Sequence, residues 1–449
     1  MGWLGKLFRR PSIPESFILP GGTSRSSLVP SPDSTKLAYI VVASRGHHVE
    51  VNGRSEPTFD AVAGLAFSPD SRAVAYAGCR GGRWFALFGG REYGPYDDIG
   101  KTSPLVSPDS AGIAYTARVR NEWFVVRDGE RIGGPYEGFS PGGPVFSPDS
   151  RKVGYVIKRG QQWAAAVNGD EFPPYPTITQ RSWVFSPDSE SLAYVAATRL
   201  DQQGARWAGE HSVVVNALEQ EPWPYDTQGP LGVFPEVYFS PDSQRRAYGV
   251  TTSGGFGFVV DGVLQRQYDG LVSGRSDRSE EWALYPGHER AACRREAFTF
   301  SPDSRHCAYA MADNRRHKHA LVYDGEEMKT HDGILNAPIS FSPDSSRIAY
   351  GAEDGGAQYV VLDWTPLGRA YGLCLAGNPA SFSPDGEHVA YVAMKAPQQY
   401  LLCLEFTNWP VPGLPPLGAH IVWEDNQCVH TLVASERQVG VCRYRAGEY

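Results

Sequence analysis

Residues 144–178 read PVFSPDSRKVGYVIKRGQQWAAAVNGDEFPPYPTI, and the stretch resolves into four short strands, here called a to d, with three tight connections. Val145-Phe146 leads into the turn Ser147-Pro148-Asp149-Ser150, then come Val153, Tyr155 and Val156, then Trp163 to Val167, then Pro174-Tyr175. Proline at the second turn position presets its dihedral, and Asp and Ser beside it can bond nearby backbone amides. The turn therefore joins strands a and b and sets the register of the later strands.

The Ser-Pro-Asp tripeptide occurs nine times, its serines being Ser31, Ser68, Ser107, Ser147, Ser186, Ser240, Ser301, Ser342 and Ser383, at intervals of 37, 39, 40, 39, 54, 61, 41 and 41 residues. A period of about 40 residues built from short strands marks propeller blades. Two further devices keep step with it. Asn52-Gly53, Gly89-Gly90, Asp128-Gly129, Asn168-Gly169, Asp261-Gly262 and Asp324-Gly325 are two-residue hairpins between strands c and d. An aromatic-acidic pair is placed at the opening of strand d: Phe59-Asp60, Tyr96-Asp97, Tyr136-Glu137, Tyr225-Asp226 and Tyr268-Asp269, weakened to His331-Asp332 and Tyr371-Gly372. Its ring is expected between neighbouring blades. Strand b repeats an Ala-Tyr pair, as in Ala38-Tyr39, Ala75-Tyr76, Ala114-Tyr115, Ala193-Tyr194, Ala308-Tyr309, Ala349-Tyr350 and Ala390-Tyr391, a small-large alternation suited to stacked sheets.

In these turns and Ala-Tyr strands, over residues 25 to 445, the chain resembles the TolB-type, WD40-like β-propeller repeats of bacteria. The resemblance implies an all-β fold and a binding platform, with no shared catalytic residues.

A degenerate tenth unit follows the nine turns: Ile421 to Trp423, His430 to Ala434 and Val439 to Tyr444 read as strands a to c. Residues 16 to 20 are expected to supply its outer strand, making residues 16–449 one ring of about ten four-stranded blades. Ten exceeds the usual roughly four to eight, so two smaller propellers are the alternative. Division at the long connection from Leu271 to Ala297 would split the blades unevenly.

The 449 residues, 41% hydrophobic and 12% aromatic, suffice for a large shared core. A mean hydropathy of −0.36 is that of a water-soluble chain, and no run of eighteen apolar residues offers a membrane-spanning helix. Seven scattered cysteines without a Cys-x-x-Cys pair fit reduced thiols. With no secretory pattern in Met1 to Arg10, they suggest the cytoplasm. In the tail, residues 1–15, Trp3, Leu4, Leu7 and Phe8 fall at helical spacing beside Lys6, Arg9 and Arg10, and Pro11 stops any helix. This allows a small amphipathic hook for a membrane surface or a partner groove; the alternative is a disordered end.

Propeller geometry puts the a-b turns and c-d hairpins on one face, which collects the nine tripeptide aspartates with Asp128, Asp261 and Asp324. The b-c loops of the other face carry Arg45, Arg80, Arg83, Arg118, Arg120, Lys158, Arg159, Arg199, Arg206, Arg315, Arg316, Lys318, Lys395 and Arg437. These fourteen outnumber the seven loop acids Glu122, Asp201, Glu210, Asp313, Glu353, Asp354 and Glu436, although the whole chain's net charge is −8. That balance suggests an acidic partner. The expansions 199–211 and 271–297, with a lengthened connection from Thr227 to Pro235, are assigned to the same face. The candidate partner-binding residues there are Arg199, Arg206, Trp207, Trp282, Tyr285, Arg290, Arg294, Arg295, Arg315 and Arg316. Nucleic acid is disfavoured, since 271–297 sets five Arg against five Asp and Glu.

No linear motif for catalysis emerges. Gly94 to Thr102 imitates a phosphate loop but has five residues between its glycines instead of four. His288-Glu289 lacks a second histidine. His306, Cys307, His317 and His319 are poorly placed to converge on a metal. The nine aspartates are turn residues rather than calcium ligands. No cofactor or metal is implied, and the reading is a non-enzymatic protein-interaction scaffold. The alternatives are an enzyme or a small-ligand or glycan binder using the central channel.

Overall fold

The protein is represented by a computed structural model that describes residues 16–18, 28–44, 46–100, 104–203, 206–226, 232–271, 298–313, 316–334, 339–371, 373–374, 380–396, 399–404, 407–411, 421–434 and 438–445. Among them the regular elements are strands, and none is a helix. They form ten antiparallel sheets in succession along the chain. The fourth contains Val145–Phe146, Val153–Arg159, Gln162–Val167 and Asp170–Glu171 in that spatial order. The core lies between sheets: one cluster joins Ala114, Val125 and Tyr136 of the third to Val153, Tyr155 and Ile157 of the fourth. Sequential sheets stacked face to face are the blades of a β-propeller. The tenth takes Val422–Trp423, Cys428–Ala434 and Gln438–Arg445 and adds Ser16–Ile18, Ser16 lying opposite Gly440. His430 Nε2, 2.8 Å from the Asp33 carbonyl oxygen, links the tenth sheet to the first.

The tripeptide turn is both a local cap and a joint. Ser147 Oγ donates to Asp149 Oδ1 at 2.5 Å and accepts from Lys152 N at 2.8 Å, while Arg151 N donates to the same Asp149 oxygen at 3.0 Å. The fourth turn residue is left-handed, φ lying between 53° and 67° in the eight serines from Ser34 to Ser345. In seven joints that serine's hydroxyl accepts from the backbone N–H of the preceding blade's aspartate. Asp33 thus bonds Ser71, Asp70 bonds Ser110, Asp109 bonds Ser150 and Asp149 bonds Ser189, and the series continues to Asp303 and Ser345, all at 2.9–3.0 Å. A left-handed serine costs about 1–2 kcal/mol, which the bond, worth about 1 kcal/mol, roughly offsets. Glycine occurs once, at Gly386, φ 76°; there Arg347 spans the joint, donating to the carbonyls of Gly386 and Glu387 at 3.2 and 2.7 Å.

The opposite face is joined by the aromatic-acidic pair, which closes strand d rather than opening it. Tyr96, Tyr136 and His331 end Arg91–Tyr96, Glu130–Tyr136 and Glu326–His331. Strand d starts directly after the hairpin, so its far end meets the next blade. The rings sit between blades as expected: Phe59 packs on Tyr76, and the Tyr96 and Tyr136 hydroxyls lie 2.9 and 3.2 Å from those of Tyr115 and Tyr155. The acids cap the next b-c turn, Asp60 accepting from Gly81 N, Asp97 from Arg120 N and Asp332 from Gly355 N at 2.7–2.8 Å.

At the c-d hairpins the first residue also caps strand b: Asn52, Asp128 and Asn168 accept from Leu37 N, Ile113 N and Val153 N at 2.8–2.9 Å. Asn216-Ala217 and Asp363-Trp364 do likewise without glycine, both residues having positive φ. In blades two to nine strand a is interrupted opposite the middle of strand b. Ile99 pairs with Ala117 and Leu105 with Ala114, for example; blades two and six show it as a register shift within one continuous strand, and the other five as a gap between two short segments.

Replacing Ser150 by Ala keeps the strain and removes the joint bond, so the unfolding free energy in urea titration should fall by about 1 kcal/mol. Ser150→Gly should cost less, because it relieves the left-handed backbone; equal stability of the alanine variant and the parent would refute the joint.

Eight tripeptide aspartates, Asp70 to Asp385, have carboxyl pKa values held below 3.8, first by the Ser hydroxyl and then by other bonds such as the backbone amide, Asp344 reaching about 2. At Asp33 burial pushes upward, and the bonds from Ser31 and Thr35 outweigh it. The unfolded chain therefore takes up these protons first. The stabilisation is complete above about pH 4 and is lost toward pH 2. The thermal midpoint should drop steeply over that window, and Asp149→Asn should flatten the drop.

Candidate functional site

The fifth blade departs most from the repeat. Its strand b, Leu192–Gln203, has 12 residues and its strand c, Arg206–Val215, has 10, against 7 and 6 in the fourth blade. The 199–211 expansion is thus a β-ribbon continuing the blade, with Arg199 opposite Glu210, Leu200 opposite Gly209 and Gln203 opposite Arg206. Trp223–Asp226 adds a third strand, pairing His211 with Trp223 and Ala208 with Asp226. A bulge between Ala197 and Arg199 turns the strand where it leaves the blade. Gly209 is required there, because a Cβ would stand 2.0 Å from the Arg199 carbonyl oxygen. His211, buried at the ribbon's root, is driven by burial to a pKa of about 4 and is neutral at pH 7.

The 272–297 segment leaves from another place. Leu271 pairs with Met311 and Phe298 with Tyr309, so it departs from and returns to strand b within two residues. It interrupts the innermost strand of the seventh blade instead of spanning from strand d to strand a. The lengthened 227–231 connection does run from d to a, between Trp223–Asp226 and Gly232–Phe239.

Arg199 is exposed and pairs with Asp201 and Glu210 at 3.3 and 3.4 Å. Arg316 pairs with Asp313 and Glu327 at 3.4 and 3.5 Å. Arg206 and Trp207 belong to the ribbon backbone, their side chains lying outside the described residues. Trp282, Tyr285, Arg290, Arg294, Arg295 and Arg315 lie outside them altogether, as do the tail of residues 1–15 and His288. The basic excess shrinks in three dimensions, since a tally of b-c loops omits carboxylates in strand d, just after it, or at the start of strand a that reach the same side. Arg80 meets Glu92, Arg83 meets Asp97, Arg118 meets Asp98, Arg159 meets Glu171 and Lys318 meets Asp332. With Arg199 and Arg316, seven of the fourteen cations are seen paired among the described residues.

The seventh-blade His and Cys groups are separately engaged. His306 Nδ1 lies 2.6 Å from Asp324, His319 Nδ1 accepts from Ile334 N at 2.9 Å, and burial raises the Cys307 thiol to about 11. No group of three or more potential metal ligands occurs among the described residues. One polar network had only a weak sequence signal, a histidine where other blades carry a phenol or phenyl ring. His331 is fully buried, its Nδ1 2.7 Å from Asp354 and its Nε2 3.1 Å from the Tyr350 hydroxyl. Burial pushes the Asp354 carboxyl upward, but bonds from Tyr359, His331 and Asp332 N prevail and hold it near 2.

No protein-family profile matches this chain, and no curated protein matches it in sequence. Among solved structures it is similar to a eukaryotic initiation factor at 10% identity and a TM-score of 0.44, over 84% of this chain and 96% of that one. It is also similar to TolB from Acinetobacter baumannii at 17% and 0.28, over 44% and 54%. The Cps50 (Swd1) β-propeller domain of Myceliophteria thermophila matches at 10% and 0.31, over 69% and 98%. These likenesses carry nothing about function; the propeller is defined by its own sheets and joints.

Gly209→Val should disrupt the ribbon while sparing the other blades. Amide exchange across 199–210 should accelerate about tenfold or more with little change in global thermal midpoint; an unchanged exchange pattern would show that the close approach is not needed.

Proposed function

We propose that the protein is a non-enzymatic protein-interaction scaffold that engages a partner on the b-c and d-a side of blades five to seven. The observation that carries this reading is the three-stranded ribbon of the fifth blade. On the side away from Arg206–Val215, Arg199–Gln203 has no paired strand among the described residues. Such an edge presents backbone groups that a partner's strand can complete. We assign a second contact to 272–297, with Trp282, Tyr285, Arg290, Arg294 and Arg295, because the residues flanking it, Leu271 and Phe298, pair with the same inner-blade strand. An acidic partner surface is the expectation attached to those arginines and to Arg206 and Arg315; the described cations, being largely paired, favour recognition by shape and strand edge. We read the ten sheets as one ring, supported by the joints from each blade to the next and by the His430–Asp33 contact. We also propose a cytoplasmic setting, with which the free thiols of Cys79, Cys307, Cys403 and Cys428 agree.

Affinity capture from the source lysate, with the recovered protein confirmed by reconstitution from purified components, tests this. Shortening 199–210 to a two-residue turn and 272–297 to a tight turn should each reduce recovery of a defined partner by about tenfold. Undiminished recovery when both are shortened would overturn the assignment.

A further inference from the structure

Among the described residues the longer strand edges are guarded, and one is not. Five outer strands of four residues or more carry a proline, which cannot donate to an added strand: Pro95, Pro135, Pro224, Pro366 and Pro410, in Arg91–Tyr96, Glu130–Tyr136, Trp223–Asp226, Thr365–Tyr371 and Thr407–Val411. A sixth, Glu326–His331, has none but is broken by a register shift against strand c. The ribbon of the fifth blade has one edge of each kind. Trp223–Asp226 bounds it on one side with Pro224. On the other, strand a ends where Thr177 meets Ala197, and Thr198 to Gln203 contains neither proline nor glycine. The bulge lies at the root, so pairing runs without a shift from Arg199 to Gln203.

The charges along that edge select what completes it. Pro224, which has no N–H, lies opposite Glu210, so Glu210 turns its backbone groups toward strand b, where Arg199 faces it. Those of Leu200 are left for the open side. Arg199 and Asp201, their side chains 62% and 61% exposed, flank Leu200 on one face of the sheet. We propose that the strand completing the edge is the same edge of a second copy of this chain, running antiparallel about a twofold axis at Leu200. In that register the two Leu200 residues exchange backbone hydrogen bonds. Arg199 of each copy stands opposite Asp201 of the other, in the closely spaced positions between those bonds. The four charges alternate in sign, and each arginine keeps its own Asp201 and Glu210 at 3.3 and 3.4 Å. Shifting the axis to Asp201 would set two carboxylates opposite each other. An interface built from one patch on both partners closes at two copies, and the two ribbons form one continuous sheet. The proposal rests on the reading of the ribbon as an interaction edge and names what fills it.

Sedimentation equilibrium of the full chain tests this. One short strand pair is a small interface, so half-dimerisation is expected at roughly 0.1 mM. Arg199→Asp leaves two acids on the edge and Asp201→Arg leaves two bases, and each variant alone should self-associate about tenfold more weakly or worse. Mixed in equal amounts, the two variants should form a heterodimer at least as readily as the parent dimerises, because every opposed pair is then opposite in sign. A parent that stays monomeric to about 1 mM, or a mixture of the variants that stays monomeric, overturns the proposal. The interaction edge itself survives that result if affinity capture still loses a different protein when 199–210 is shortened; undiminished capture removes that reading separately.

Discussion

Neighbouring blades are held together by a hydroxyl that serves two of them. Each left-handed serine from Ser71 to Ser345 sits in its own turn and accepts a hydrogen bond from the aspartate amide of the blade before it. That aspartate's carboxylate is already committed to its own turn, as Asp149 is to Ser147 and Arg151 N. A change in one turn is therefore felt in the next. Propeller blades bury little within a single sheet, so the arrangement depends on fixing their relative rotation. Seven equivalent bonds fix it at one face, and the aromatic-acidic pairs fix it at the other.

This dependence explains why a strained residue type is kept where glycine would be easier. Serine and glycine differ little in net cost at such a turn, since strain and bond nearly cancel, but only serine specifies the distance and angle to the neighbour. The ninth turn shows the alternative. Gly386 relieves the strain, and Arg347, anchored on Asp363 at 2.8 Å, reaches across instead. Arg245, anchored on Asp261, does the same at a joint that also keeps its serine.

With the joints carrying the architecture, departures from the repeat are free to diverge. The fifth blade lengthens strands that are already paired, so its ribbon inherits blade register up to the bulge at Thr198. The seventh blade opens at a break that seven other inner strands also possess, and a long excursion there leaves the pairing on either side intact. In each case the change falls where backbone pairing is complete without it.

Turn chemistry and strand period are short-range properties, and residues 144–178 disclosed them: blade spacing, the Ser-Pro-Asp turns, most hairpins and the packing of rings between blades. Asn216-Ala217 and Asp363-Trp364 escaped because they reach left-handed conformations without glycine. The second role of the turn serine was invisible, since its partner lies about forty residues earlier and no linear spacing distinguishes a bond within a turn from one between blades. Charge was misleading for the same reason: Arg159 and Glu171 belong to different strands and meet only when the blade folds. Arg199 and Arg316 could be picked out as cations in unusual loops, but their carboxylate partners could not. Local residue preferences dictate which turns and strands form; the stacking of one sheet on the next dictates which side chains meet, because those contacts join positions that are neighbours in space and not along the chain.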